Sequence, residues 1–187
     1  VYEALNDGSL KLDEVLSISE NAASMGGSQV FLQPNEQMNV HDLLKAVCIS
    51  SANDAMVALA ERISGSVSEF VSKMNEKSKE LNLVNTNFEN TTGLHDENHY
   101  SCAKDMALIA KKLIEVGKEE LLSITSTYDA YIREDTNPFW LVNTNKLVKH
   151  VEGVDGLKTG FTQEALSCIT VTAKKNDLRL IGVVMKE

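Results

Sequence analysis

An α+β fold, with a cluster of helices followed by an antiparallel sheet, is what the order of patterns in this sequence predicts. Three observations carry it. Between Asn39 and Gly117, apolar residues recur at helical spacing in four successive segments. From Leu166 to Met185 the pattern changes to alternation, around an Asn-Asp pair suited to a tight hairpin turn. The 187 residues are 43% hydrophobic, enough for a core, and one domain is expected at roughly 100–200 residues each.

Each element has its own signal. "VYEAL" reads as helix from the first residue, with a stop at Asn6–Gly8. Ser9–Ser19 holds no single period and reads as loop with a short extended piece. A Gly/Ser turn, a short strand around Val30–Leu32 and a Pro turn come next. Asn39 is placed to cap a helix with Asp42 in its first turn, and Leu43, Leu44 and Val47 share one face. Met56, Val57 and Ala60 mark a second helix, and Phe70, Val71, Met74 and Leu81 a third. Met106, Ile109, Ala110 and Leu113 mark a fourth, with Ser101 as its N-cap and Gly117 as its C-cap. "YDAYIRED" and "FWLVNTNKLV" read as short extended segments. In the final hairpin Ile169, Val171 and Ala173 alternate with Thr170 and Thr172.

Composition excludes some classes. Two prolines and 24% charged residues argue against disorder. A net charge of −9 disfavours nucleic acid as a partner, since phosphate binding needs a basic face. Cys48, Cys102 and Cys168 form no C-x-x-C pair and read as small packed side chains. No run approaches the roughly 20 apolar residues of a membrane span, and no signal-peptide pattern is present. The chain starts within a helix and ends at a strand, so the sequence reads as a single partial domain, 1–187, truncated at both ends. A leader or anchor would then lie outside it.

Three groups of residues carry chemistry. His95 and His99 stand four apart, a spacing that chelates zinc on a helix. A metalloprotease would want Glu directly after the first His, where this chain has Asp96 in a loop-like stretch. Ser51 and Asn53 sit two apart between helical segments. They read either as a helix cap or as a proton-relaying hydroxyl and a peptide-binding amide in a cleft. Lys158, Thr159 and Gly160 open a strand, with an ammonium, a hydroxyl, and a glycine that lets a substrate backbone come close. No metal or other cofactor is expected.

The pair is more specific than its parts. S-x-N followed far downstream by K-T-G resembles the active-site serine penicillin-recognising enzymes. "GSQVFLQPNEQMNVHDLLKAVCISSANDAMVALAE", "MNEKSKELNLVNTNFENTTGLHDENHYSCAKDMALIAKKL" and "VDGLKTGFTQEALSCITVTAKKNDLRLIGVV" together resemble the D-alanyl-D-alanine carboxypeptidases, the low-molecular-mass penicillin-binding proteins of serine peptidase family S11. Class A β-lactamases usually carry Asp in the middle of S-x-N; this chain has Ala52.

The resemblance implies a penicillin-binding-protein/β-lactamase-like fold and roles for six residues. Ser51 would assist proton transfer and Lys158 would support the proton network. The N–H of Phe161, where relatives often have His or Tyr, would be one oxyanion donor. Asn53 would bind the substrate's amide backbone, Thr159 would help fix its terminal carboxylate, and Gly160 would admit it. The implied partners are a peptidoglycan stem peptide ending in D-Ala-D-Ala and β-lactam antibiotics, met at the outer face of the cytoplasmic membrane by a parent protein associated with it.

The family's nucleophile belongs to an S-x-x-K motif that precedes S-x-N. Only Ser101 has a lysine three residues on, Lys104, and it follows the S-x-N motif. The acylating segment is therefore expected upstream of Val1, and the 187 residues alone are expected to be inactive. Two alternatives remain at this point: a silent peptidoglycan-binding module, or a metalloprotein using His95 and His99.

Overall fold

The opening helix stops where a left-handed residue fits best. α1 (Tyr2–Asp7) ends at Gly8 with φ 80°, a conformation that glycine adopts without a Cβ clash. The computed structural model describes residues 1–186. β1 (Val15–Ser17) and β2 (Gln37–Asn39) pair antiparallel, with Leu16 opposite Met38. Between them α2 (Glu20–Ala23) is capped by Ser19, whose Oγ accepts from the Ala22 N–H at 2.9 Å. Four residues are too few to show a period, so α2 leaves no trace in the hydrophobic pattern.

The strand expected around Val30–Leu32 does not form. Phe31 has φ 57°, and the N–H groups of Val30 and Leu32 both donate to Asp54 Oδ2 at 3.1 Å. A buried carboxylate replaces a neighbouring strand as the acceptor, so this apolar stretch is buried as irregular chain.

The central helices follow the pattern. α3 (Val40–Ser50) begins at Asn39, whose Oδ1 accepts from the Asp42 N–H at 2.7 Å. α4 (Asn53–Ser64) packs on it, burying Ala55, Val57, Ala58, Leu59 and Ala60. The alanines let the two backbones approach closely. α5 (Val67–Glu80) is capped by Ser66 and keeps only Ser78 fully buried; Phe70, Val71 and Met74 are half-buried.

α6 (Ala103–Thr125) departs from expectation at both ends. Cys102, not Ser101, occupies the cap position, and Ser101 Oγ bonds Thr86 Oγ1 at 2.9 Å. Gly117 closes the first helical stretch, as expected, but not the whole element. A kink at Lys118 (φ 48°, ψ −140°) interrupts it, and it resumes to Thr125. The glycine is needed because a Cβ there would lie 2.6 Å from Leu121 Cβ.

β3 (Asp129–Ile132) and β4 (Phe139–Val142) form a hairpin whose inner residues, Ile132 and Leu141, are buried. It packs against α3. After the short α7 (Leu147–His150) come β5 (Val154–Thr162), β6 (Leu166–Lys175) and β7 (Leu178–Val184), in that spatial order. Asn176 and Asp177 make the predicted turn, with Asn176 at φ 55°. On β6 the inward residues are polar, with Ile181 of β7 packed on the core beside them. Thr170 and Thr172 are buried, and Thr172 Oγ1 accepts from Arg179 Nη1 at 2.7 Å. Arg179 also grips Asp155 with two bonds, at 2.8 and 2.7 Å. Leu178, Leu180 and Val184 are exposed on the other face. β5 is an edge strand, and its free edge looks toward the end of α3.

Candidate active site

Ser51 closes α3 in an uncommon conformation. Its φ is 61°, where glycine is the usual residue and a side chain stores strain of about 1 kcal/mol. The Ser51 and Ala52 N–H groups bond back to the Val47 and Ala46 carbonyls, both at 3.1 Å. This lets the chain reverse within two residues into α4, and it leaves the Ser51 hydroxyl on the rim of the junction.

Asn53 starts α4 inside a collar of glycines. Its backbone N–H donates to Ser28 O at 2.7 Å, and its Nδ2 donates to Gly26 O at 2.8 Å. A Cβ on Gly27 would lie 2.7 Å from that Nδ2, and Gly27 has φ 81°. One amide hydrogen is therefore engaged in fixing the plane of the side chain. The second hydrogen and Oδ1 remain for a peptide group.

Lys158 reaches across from β5. Its Nζ donates to Ser51 Oγ and to the Thr159 carbonyl, each at 2.8 Å. Among the described residues it forms no ion pair with a carboxylate. Burial holds its pKa down to about 8, opposed by the nearby Cys48 thiol. Burial pushes Cys48 itself up to about 11, against the pull of the Lys158 ammonium. Near neutral pH a lysine so placed can give up or regain a proton, and Ser51 is the hydroxyl through which it would pass.

The remaining predicted residues line the same edge. The Thr159 carbonyl meets Lys158 Nζ, so it faces away from β6. In an antiparallel ladder alternate residues face the same side, which turns the Phe161 N–H to the free edge as well. Open space surrounds Gly160: a Cβ there would meet nothing within 4 Å. The Phe161 ring is exposed. Lys158, Thr159, Gly160 and Phe161 thus lie along β5, and Lys158 Nζ joins that strand to Ser51 at the α3–α4 junction, two residues before Asn53. Two surface hollows lie elsewhere, one by Glu14 and Arg62, the other by His41 and Glu120.

Three contributors carried no signal in the sequence. Gly26 and Gly27 read only as a turn, and Thr144, 2.7 Å from Thr159 by its hydroxyl, read only as part of an extended segment. Their parts depend on long-range contacts. His95 and His99 lie on a loop. His99 Nδ1 accepts from the Glu89 N–H at 3.1 Å, and its ring meets the Phe88 ring edge-on. Among the described residues, no group of three or more His, Cys, Asp or Glu is arranged to hold a metal. Ser101 and Lys104 give no alternative nucleophile pair, since the hydroxyl is bonded to Thr86 and the lysine is exposed.

The chain is similar to known proteins over its whole length. Residues 1–187 match the peptidase S11 family, described as D-alanyl-D-alanine carboxypeptidase. The chain is 55% identical over 185 residues to the D-alanyl-D-alanine carboxypeptidase DacF of Bacillus subtilis, covering 98% of this chain and 47% of that protein. It is 36% identical to DacC of Escherichia coli, covering 99% and 47%. In structure it resembles penicillin binding protein 5 of Haemophilus influenzae, with a TM-score of 0.91 at 38% identity over 99% of this chain and 54% of that one. It also resembles penicillin-binding protein D2 of Listeria monocytogenes in an ampicillin-bound form, with a TM-score of 0.86 at 32% identity over 100% and 74%. The chain spans about half the length of the curated relatives it matches.

Proposed function

The chain belongs to the D-alanyl-D-alanine carboxypeptidase family, peptidase S11, and from that membership we propose that the protein removes the terminal D-alanine from peptidoglycan stem peptides through an acyl-enzyme. The observation that carries this reading is the Lys158–Ser51 contact at 2.8 Å, set between an amide at Asn53 and a hydroxyl at Thr159.

The chemistry divides between two halves of a site. A serine of an S-x-x-K segment, which these residues do not supply, attacks the carbonyl of the penultimate D-alanine. Its oxygen–carbon bond forms as the carbon–nitrogen bond to the terminal D-alanine breaks. The described residues do the rest. Lys158 and Ser51 carry a proton to the leaving amine, and the Phe161 N–H stabilises the oxyanion. Asn53 holds the peptide backbone, and Thr159 with Lys158 holds the carboxylate. Gly160 leaves room for the substrate strand. Water then hydrolyses the ester. Penicillins would acylate the same serine. Since stem peptides lie outside the cytoplasmic membrane, we place the activity there, in a longer protein associated with that membrane. Among the described residues, no helix is long and apolar enough to cross it.

Fluorescent penicillin tests this directly. The full-length protein should label covalently and release D-alanine from a D-Ala-D-Ala peptide, and the 187 residues alone should not label. Labelling of the 187-residue chain would overturn the placement of the nucleophile. A full-length protein that binds stem peptide but neither labels nor releases D-alanine would be a silent binding module.

A further inference from the structure

The short segment Asn143–Thr144–Asn145 is held more firmly than a connecting loop requires. Burial alternates through it: Leu141, Asn143 and Asn145 point inward and Thr144 outward. Asn143 Nδ2 donates to the carbonyls of Thr125 and Thr127 at 3.1 and 2.8 Å. Asn143 Oδ1 accepts from the Asn145 N–H at 2.9 Å. Asn145 Nδ2 donates to Gly156 O at 3.1 Å, and its Oδ1 accepts from the Leu147 N–H at 3.1 Å. The Thr144 N–H donates to the Ile49 carbonyl at 3.1 Å, two residues before Ser51. Two buried amides thus lock the backbone on either side of Thr144, between the end of α3 and β5.

The freedom left to Thr144 is in its side chain, which is exposed. Its Oγ1 accepts from Thr159 Oγ1 at 2.7 Å. In such a pair one proton lies between the oxygens and the other stays free. The free one belongs to Thr144, and among the described residues it has no acceptor. A hydroxyl that accepts one hydrogen bond becomes a stronger donor in the next. The space it faces adjoins Thr159 and Lys158.

We propose that Thr144 is a second substrate-binding hydroxyl, whose free proton is donated to the C-terminal carboxylate of the peptide while Thr159, donating to Thr144, strengthens that bond. This rests on the carboxypeptidase reading above. The carboxylate would then be held by one ammonium and a chain of two hydroxyls, with Thr144 setting the orientation of Thr159. A threonine with a purely structural part would direct its hydroxyl inward, as Asn143 and Asn145 direct their amides.

The test uses the full-length protein and two peptides differing only in a free C-terminal carboxylate or its methyl ester. The readout is the ratio of kcat/KM values. Thr144→Val, close in shape, should lower the preference for the carboxylate about tenfold, the range of one hydrogen bond to a charged group. Thr144→Ser, which keeps the hydroxyl, should restore the preference. A ratio within about twofold of wild type in both Thr144→Val and Thr144→Ala overturns the proposal, as does an equal loss on both peptides, since an equal loss marks a structural role. If Thr144→Val does not fold, Thr144→Ala and Thr144→Ser decide by the same ratio. Wild-type protein that releases neither D-alanine from the free acid nor D-alanine methyl ester from the ester overturns the carboxypeptidase reading and this proposal with it. Active wild type with an unchanged ratio in the variants overturns this proposal alone.

Discussion

Lys158 Nζ stands 2.8 Å from Ser51 Oγ, joining the edge of the sheet to the α3–α4 junction across 107 residues of chain. Ser51 adopts φ 61° to make that contact, so function and stability pull in opposite directions at this residue. Ser51→Gly should be more stable than Ser51→Ala by about 1 kcal/mol, because only glycine relieves the left-handed strain. Both variants should slow acylation of the full-length protein by about 10²-fold or more, the range of a lost proton-transfer group. Urea melts read the first effect and penicillin labelling rates the second. Equal stability of the two variants would contradict the strain argument.

Lys158 should leave a pH signature on folding. Its ordinary pKa is 10.5 and burial lowers it to about 8 in the folded protein. Between those values the folded state binds fewer protons than the unfolded state, so stability rises with pH across the window. The unfavourable contribution is fully present below about pH 8. Lys158→Met removes the titration, so the stability difference between wild type and variant should shrink or reverse in favour of wild type from pH 8 to 10.5. Urea denaturation across that range measures it. A difference that does not vary with pH would mean that Lys158 is not held down.

Asp54 should be among the more costly side chains to remove. Its carboxylate is fully buried and accepts from the N–H groups of Val30, Leu32 and Ala55. Asp54→Ala strands those donors without water and should destabilise the chain by about 3 kcal/mol or more. Asp54→Asn keeps one acceptor oxygen and should recover part of the loss. Thermal melts give the order. The loop that Asp54 holds continues back to Ser28 and Gly26, which clamp Asn53, so Asp54→Ala should also weaken substrate binding.

That clamp shows where sequence reasoning stops. The α3 boundary was legible because its cap and its apolar spacing are local: Asn39 and Asp42 sit within one turn. Lys158, Thr159, Ser51 and Asn53 were legible as chemistry because their residue types and order are distinctive. Val30–Leu32 was misread as a strand because its hydrogen-bond partner, Asp54, lies beyond any local window. Gly117 marked the break at Lys118, but the second helical stretch to Thr125, which buries Leu121 and Ile124, was not legible because it is set by packing on the core. The alternation from Ile169 to Ala173 reported two faces without saying which is inward. The Arg179–Asp155 pair and Thr172 take the inner face, which an apolar-inside rule assigns the other way. Thr144 carried no signal because its role is created by Thr159, from another element.

Two glycines of β5 should separate folding from function. At Gly156 a Cβ would lie 2.7 Å from Thr125 Oγ1, 3.1 Å from Thr125 Cβ and 3.4 Å from Thr172 Cγ2. Thr125 is buried, and its hydroxyl already donates to the Asp155 carbonyl at 2.7 Å. Neither neighbour has room to yield, so Gly156→Ala should cost about 1–3 kcal/mol by overpacking. At Gly160 the same Cβ meets nothing within 4 Å, and the residue does not need a left-handed φ. Gly160→Ala should therefore melt within about 0.5 kcal/mol of wild type, as an unremarkable exposed substitution does. The added methyl would project from the same strand face as Lys158, two residues away, into the space that a peptide backbone must enter. Penicillin labelling of the full-length protein should then fall steeply in Gly160→Ala although its fold is intact. If Gly160→Ala labels at the wild-type rate, the substrate does not pass over this strand, and the carboxylate wall formed by Lys158 and Thr159 would have to be approached from another side.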